Sequence, residues 1–286
     1  MADDFDFKGK VAIVTGGGHG IGREIAGSLA AHGASVAITG RSQGRLDETL
    51  ASITSAGGNA IAFSADVADE DAIRGIVAET EAKFGPIDFL VSNAGVDGPF
   101  GPLWLNKTDD WRRTLNTNLM GSVVVAQSVL SGMVERRSGR IVFVGSGGGL
   151  WPVPYDTGYA VTKAGLIRLG ETLALEAEDY NVQCFVIHPG VVHTGMSDSV
   201  MNDPNGKKWL PKYDQALERG KTPIEWASDL TNFLLSGQGD GLSGCFLSVN
   251  DDYRELATRA AEIQEGDMYR LRLSTTPGRR PPRPFQ

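Results

Sequence analysis

Seven short runs rich in Val and Ile, at 11–15, 35–39, 60–64, 87–91, 140–145, 182–187 and 245–249, recur along the chain between longer amphipathic stretches. Runs of this length that stay apolar without polar alternation read as strands buried on both faces. The stretches between them are long enough to be the right-handed crossover helices that parallel neighbours require. The pattern predicts an α/β fold: one doubly wound parallel sheet of about seven strands, covered on both sides.

Punctuation supports that reading. Gly33, and Gly85 followed by Pro86, end helices; Thr222, Pro223 and Glu225 spell a capping box with proline in the first turn, and Gly237 closes the helix that follows. Residues 191–221, rich in Asp, Asn, Pro and Gly, fall outside the alternation and read as a lid. The main domain is expected over 1–250 and a C-terminal extension over 251–286. That extension begins with a helix-compatible stretch at 253–265 and finishes with Pro277, Arg279, Arg280, Pro281, Pro282, Arg283 and Pro284, which suit neither a helix nor a central strand. A surface-draped terminus, an arm to a neighbouring subunit and a basic proline-rich ligand are the readings open to it.

Composition narrows the classes. A 286-residue chain with 41% hydrophobic and 22% charged residues can bury a large core. The formal net charge of −8 argues against a nucleic-acid surface, which needs clustered Lys and Arg. Residues 1–10 lack the apolar stretch of a signal peptide, and no later run reads as a membrane span, so the expectation is a cytoplasmic protein with no membrane partner. Cys184 and Cys245 each sit inside an apolar strand-like run, and their spacing fits no disulfide framework or zinc pattern. His19, His32, His188 and His193 have no metal-ligand spacing, and no metal is expected.

Directly after the first run come Thr15, Gly16, Gly17, Gly18, His19, Gly20, Ile21 and Gly22, and a helix opens there. Glycines let backbone approach a pyrophosphate, and the helix N-terminus offers unpaired N–H groups with a partial positive charge. A glycine cluster at this strand-to-helix junction points to a Rossmann-like dinucleotide site. A carboxylate at the end of the second strand would accept from a ribose 2′-hydroxyl; Gly40 stands there instead. Arg41 follows, with Ser42 and Arg45 close behind, so a guanidinium is available to a 2′-phosphate. NADP(H) is favoured on that ground and NAD(H) remains open, since Arg41 could equally be solvated or lie against the adenine.

A second constellation lies further along. Tyr159 and Lys163 are four residues apart in a helical stretch and therefore share a face. A free phenol titrates near about 10, and a nearby fixed cation favours its ionised form, which suits proton exchange at neutral pH. Ser146 ends the fifth run and can donate to a developing alkoxide.

With these pieces the chain, from residue 8 to about 250, resembles the short-chain dehydrogenase/reductase family. The glycine spacing of residues 15–22 is the family's, as is the interval from Ser146 to Tyr159 and Lys163. The resemblance implies cofactor contacts from Gly16, Gly18, His19, Gly20, Ile21, Gly22 and Arg41, and from Asp66 and Val67 toward the adenine. It also implies that Asn93, Ala94 and Gly95 brace the sheet, that Pro189 and Gly190 approach the nicotinamide, and that Thr194 bonds its carboxamide. Asn118, preferred over its neighbour Asn116, matches the asparagine that holds a water linking the lysine to solvent. His19 stands where many NADP-using members carry Arg or Lys, and Asp66 could instead serve the turn that follows it.

The activity so implied is an NAD(P)-dependent interconversion of a secondary alcohol and a ketone, by a homotetramer or dimer built through the helices at 108–136 and 156–179. Loops beyond the carboxyl ends of the strands should line the substrate cleft. Theirs are apolar, with Trp104, Trp151, Tyr155 and Met196 among them, which suits a bulky, hydrophobic or aromatic substrate or a neighbouring subunit. Readings from other classes are a catalytically silent NADP-binding regulator, which the Ser146, Tyr159 and Lys163 set argues against, and a sugar-nucleotide epimerase or dehydratase, which expects a shorter glycine spacing.

Overall fold

The computed structural model describes residues 5–273, so the proline- and arginine-rich ending at 277–284 lies outside the described residues. The strands are β1 (Val11–Thr15), β2 (Ser35–Gly40), β3 (Asn59–Ser64), β4 (Phe89–Ser92), β5 (Gly139–Val144), β6 (Val182–His188) and β7 (Phe246–Ser248). All pair in parallel in the order β3-β2-β1-β4-β5-β6-β7. The order reverses between β1 and β4, and at such a switch point the loops diverge and leave a crevice.

Strand side chains alternate between two cores. Ala12, Val14, Val36 and Ile38 join one; Val11, Ile13, Ala37 and Leu90 join the other. On the first face lie α1 (Gly20–Ala31), α2 (Gln43–Ser55) and α10 (Glu225–Leu235); on the second lie α3 (Glu70–Phe84), α5 (Gly121–Arg136) and α6 (Thr157–Ala177). α3 shows how local sequence sets the bounds. Asp69 caps it by accepting from Ala72 N–H at 3.0 Å, Glu70 and Asp71 complement its first turn, and Gly85 ends it at φ +95°.

α4 (Thr108–Leu115) runs through a π turn at Asn116–Met120 into α5. The resulting helix, Thr108–Arg136, is by length and composition apolar enough to cross a membrane, contrary to the expectation that no run would be. Val125, Ala126, Val129 and Met133 are buried against the sheet, which accounts for its apolar character as that of a core helix.

The segment expected as a lid is mostly helical: α7 (Gly195–Asn202), α8 (Pro204–Trp209) and α9 (Tyr213–Arg219). Its neck is closed by a bridge between Val191 and Lys221, and Thr222 N–H donates to Val191 O at 2.9 Å. This corrects the capping box expected at Thr222. The Thr222 hydroxyl accepts from Val191 N–H and donates to Gly220 O, while α10 starts later, at Glu225, without a side-chain cap. A long-range partner outcompetes the local one.

Past Asn250 the chain forms α11 (Tyr253–Thr258) and α12 (Ala260–Glu265), broken at Arg259. Leu256 and Ile263 are buried in the first core, and Phe246 N–H donates to Tyr269 O at 2.8 Å. Arg272 Nη1 reaches buried Glu171 Oε2 at 3.1 Å. The described part of the extension is thus packed onto the sheet and α6.

Candidate active site

The first wall of the crevice is the turn after β1. Gly16 and Gly20 have φ of +66° and +55°, where a side chain would be strained. A Cβ on Gly22 would stand 2.3 Å from Gly16 O, so the N-terminus of α1 can press against the β1 turn only because that position is glycine. Asn93 completes the brace: its N–H donates to Thr15 Oγ1 and its Nδ2 to Thr15 O, at 3.0 and 2.9 Å. α1 begins with no side-chain cap and no acidic residue in its first turn, which leaves its N-terminal N–H groups and dipole for an anion.

A cavity opens above this turn. Gly16, Gly18, His19, Gly20 and Ile21 line it on one side; Gly40, Arg41, Ser42 and Arg45 close the β2 end. Asp66 and Val67 follow from the β3 end, Ala94 and Gly95 with Asn93 from the β4 end, and Thr194 and Met196 from the neck of the lid. Asp66 also accepts from Ala68 N–H at 3.0 Å, so it serves its own turn as well as the wall. Burial, with Arg45 adding to it, holds His19 below the usual imidazole range. A dinucleotide suits these walls: glycine backbone and an uncapped helix for its phosphates, and guanidinium groups where the β2 end lacks an acid.

Three expected contacts sit elsewhere or act indirectly. Gly22 works from beneath, through packing. Pro189 is buried, and Gly190, at φ +81°, has its Cα face against Thr222, where a Cβ would lie 2.5 Å from Thr222 Oγ1. Neither is among the cavity walls. Thr117 and Leu46 are walls the sequence did not single out.

Beyond β5, Ser146 starts a 3-10 turn at Gly147–Gly149, and its Oγ accepts from Gly148 N–H at 3.1 Å. Gly149 lies flat on α6, where a Cβ would meet the Lys163 carbonyl carbon at 2.7 Å. This contact brings Ser146 near Tyr159: a Cβ on Gly148 would lie 3.5 Å from Ser146 Oγ and 3.4 Å from Tyr159 Cε1. Lys163 Nζ is 5.5 Å from the Tyr159 ring centroid and donates to Val144 O at 2.8 Å. Asn118, in the π turn, is fully buried; its Oδ1 accepts from Val96 N–H at 2.8 Å, and its Nδ2 donates to Val96 O and Thr162 Oγ1. A π turn inserts one residue into the helix and re-aims its side chains, a device common at functional sites.

The electrostatics differ from the simple tyrosine–lysine picture. Burial pushes the Tyr159 phenol up, Asp97 and Asp156 add to the rise, and the Ser146 hydrogen bond opposes it. Burial also brings Lys163 down to about 8, against the pull of Asp97. Asp97 itself is pushed up to about 7, by burial first and then by Asp156. Asp156 rises to about 6 by burial, opposed by backbone hydrogen bonds from Gly98 and Tyr159. The sequence singled out neither carboxyl: Asp97 precedes Gly98 and Pro99 and reads as a turn residue, and Asp156 reads as a helix start.

Of the residues expected around a substrate, Met196 lines the cavity, whereas Trp104 and Trp151 stand in solvent, 82% and 73% exposed. Tyr155 packs on Trp209 from α8, ring centroids 5.2 Å apart, and its carbonyl accepts from Gly101 N–H at 2.8 Å. The loops after β4 and β5 and the lid therefore meet there.

A parallel sheet with a glycine-walled crevice at its switch point places this molecule among dinucleotide-binding α/β proteins. A family model described as short chain dehydrogenase matches residues 10–205, and the chain belongs to the short-chain dehydrogenase/reductase family, whose oxidoreductases use NAD(P)(H). It is similar to a 2,3-dihydro-2,3-dihydroxybenzoate dehydrogenase of Bacillus subtilis, 36% identical over 239 residues that span 81% of this chain and 90% of the relative. A 3-oxoacyl-acyl-carrier-protein reductase of Escherichia coli is 33% identical over 198 residues, 69% of this chain and 80% of the other. Among solved structures, an NAD+-bound xylitol dehydrogenase superposes with a TM-score of 0.76 at 30% identity, covering 85% of this chain and 98% of that one.

Proposed function

We propose that this oxidoreductase interconverts a secondary alcohol and a ketone, with Tyr159 as the group that exchanges the hydroxyl proton. The observation that carries the reading is the convergence of Ser146, Tyr159 and Lys163 from β5 and α6, next to the loop that also walls the glycine-lined cavity. Bound in that cavity, a nicotinamide dinucleotide supplies the two-electron exchange with the substrate carbon. Tyr159 holds the proton that the substrate oxygen gains or loses, and Ser146 donates to the same oxygen as charge develops. Lys163 anchors positive charge beneath the phenol, fixed by Val144 O. NADP(H) is the favoured partner because Gly40 leaves no acid at the β2 end while Arg41 and Arg45 wall it; NAD(H) is the alternative. The apolar loops around Tyr155, Trp209 and Met196 suit a bulky, hydrophobic or aromatic substrate.

The test is a panel of bulky aromatic and small hydrophilic ketones assayed with the wild type and Tyr159→Phe. The wild type is expected to turn over the bulky members preferentially. The variant should lose roughly 10²–10⁴-fold in kcat/KM while still binding dinucleotide in a fluorescence titration. Undiminished turnover without the hydroxyl overturns the proposal, and tight dinucleotide binding with no carbonyl reduced favours a silent regulator.

A further inference from the structure

The loop leaving β4 carries an acidic side chain for which neither the fold nor proton exchange at Tyr159 has a use. Asp97 is flanked by two residues that are tied down. Val96 donates its N–H to Asn118 Oδ1 at 2.8 Å and accepts from Asn118 Nδ2 at 2.9 Å. Gly98 donates its N–H to Asp156 Oδ1 at 3.1 Å and accepts from Thr114 Oγ1 at 2.7 Å. The backbone of Asp97 is held on both sides before any ligand arrives, the preorganisation a recognition group needs and a solvated loop charge does not.

The loop on both sides of Asp97 lies against the start of α6: a Cβ on Gly95 would stand 3.7 Å from Lys163 Nζ, and one on Gly158, next to Tyr159, 3.0 Å from Gly98 O, and the Asp97 carboxyl acts electrostatically on Tyr159, Lys163 and Tyr213. It accepts no hydrogen bond from any described residue. Asp156 differs, because its carboxylate is committed to Gly98. Asp97 is partly buried, and a carboxyl partly withdrawn from water without a protein donor is costly, a cost that a ligand bringing a hydroxyl relieves.

We infer that Asp97 is a specificity-determining residue that accepts from a second hydroxyl of the substrate, so that the substrate class is a vicinal diol and its α-hydroxy ketone. The inference rests on the alcohol/ketone reading above. Because the loop bearing Asp97 packs on the same turns of α6 that carry Tyr159 and Lys163, and not on a distant wall, we place the second hydroxyl on the carbon next to the reacting one. In the oxidative direction the reacting carbinol carbon gives up a hydrogen with two electrons to an oxidised nicotinamide dinucleotide. The hydroxyl proton passes to the ionised form of Tyr159, which the phenol reaches by first releasing its own proton to solvent, and the C–O bond becomes C=O, while the second hydroxyl is unchanged.

The experiment measures kcat and KM of the full chain for a matched pair, 1,2-indanediol and 1-indanol, in the wild type, Asp97→Asn and Asp97→Ala. Assayed above about pH 8, where the Asp97 carboxyl is ionised, a hydrogen bond to a charged acceptor predicts a wild-type preference for the diol of roughly tenfold or more in kcat/KM. Asp97→Ala should bring the ratio near unity, chiefly through the KM of the diol, and Asp97→Asn, which keeps an acceptor oxygen, should retain part of it. A purely structural role would lower both substrates together and leave the ratio where it was, which overturns the inference. Equal turnover of the pair by the wild type also overturns it, whatever the variants' folding, and leaves the alcohol/ketone reading standing. Failure to oxidise either alcohol or reduce any ketone of the panel overturns both.

Discussion

Lys163 donates to the end of β5 through Val144 O, so its charge is anchored to the sheet and lies under the Tyr159 ring instead of at its hydroxyl. Burial and the nearby Asp97 and Asp156 push the phenol up against the opposing effect of Ser146, and in this state the phenol keeps its proton through the neutral range. A tyrosine so poised is ready to donate to a carbonyl oxygen. At the other end of the cavity Arg41 is exposed, with a free choice between solvent and a phosphate. Arg41→Ala is expected to weaken NADPH binding roughly tenfold or more, as loss of a charge-assisted contact implies, and to leave NADH binding much less affected. Paired titrations of both dinucleotides check this, and equal loss for the two would assign Arg41 to the adenine instead.

The glycine run after β5 has one structural demand among elements: it lets the Ser146 turn lie on α6. Gly149 has backbone of Lys163 and Ala164 within 3 Å of where a Cβ would be, and backbone cannot move aside as a flexible side chain can. Gly149→Ala should therefore lift Ser146 away from Tyr159, with a stability loss of about 1–3 kcal/mol typical of overpacking and a larger fall in kcat than in dinucleotide affinity. Thermal melts and steady-state kinetics on the same preparation check it. A variant with full kcat would show that the turn accommodates the methyl without displacing the serine. The π turn before α5 belongs to the same scale: one extra residue in the helix turns Asn118 toward Val96, where it pins the loop bearing Asp97.

At the scale of the whole molecule, Met120, Val161 and Leu175 on the helices proposed for subunit contact are exposed by 45%, 50% and 67% in the single chain. Association through those helices would bury them. Sedimentation is expected to give a tetramer or dimer, and Val161→Asp with Leu175→Asp is expected to shift it toward smaller species; a wild type that sediments as monomer defeats the expectation. Much of this molecule was legible in the chain itself. Strand positions, the order of helices between them, the glycine turn at Gly16–Gly22 and the pairing of Tyr159 with Lys163 follow from periodicities of a few residues, which local backbone geometry imposes wherever the chain goes. Thr222 reads locally as a cap, yet its hydroxyl is claimed by Val191, 31 residues away. Trp104 and Trp151 read as pocket walls or subunit contacts and are exposed in the single chain. Asp97 reads as a turn, yet its neighbour Gly98 lies against Gly158, 60 positions along the chain and next to Tyr159. No local pattern encodes these outcomes, because each depends on which side chains the packed sheet brings within a few ångströms of one another, and on how much water that packing removes from the groups between them.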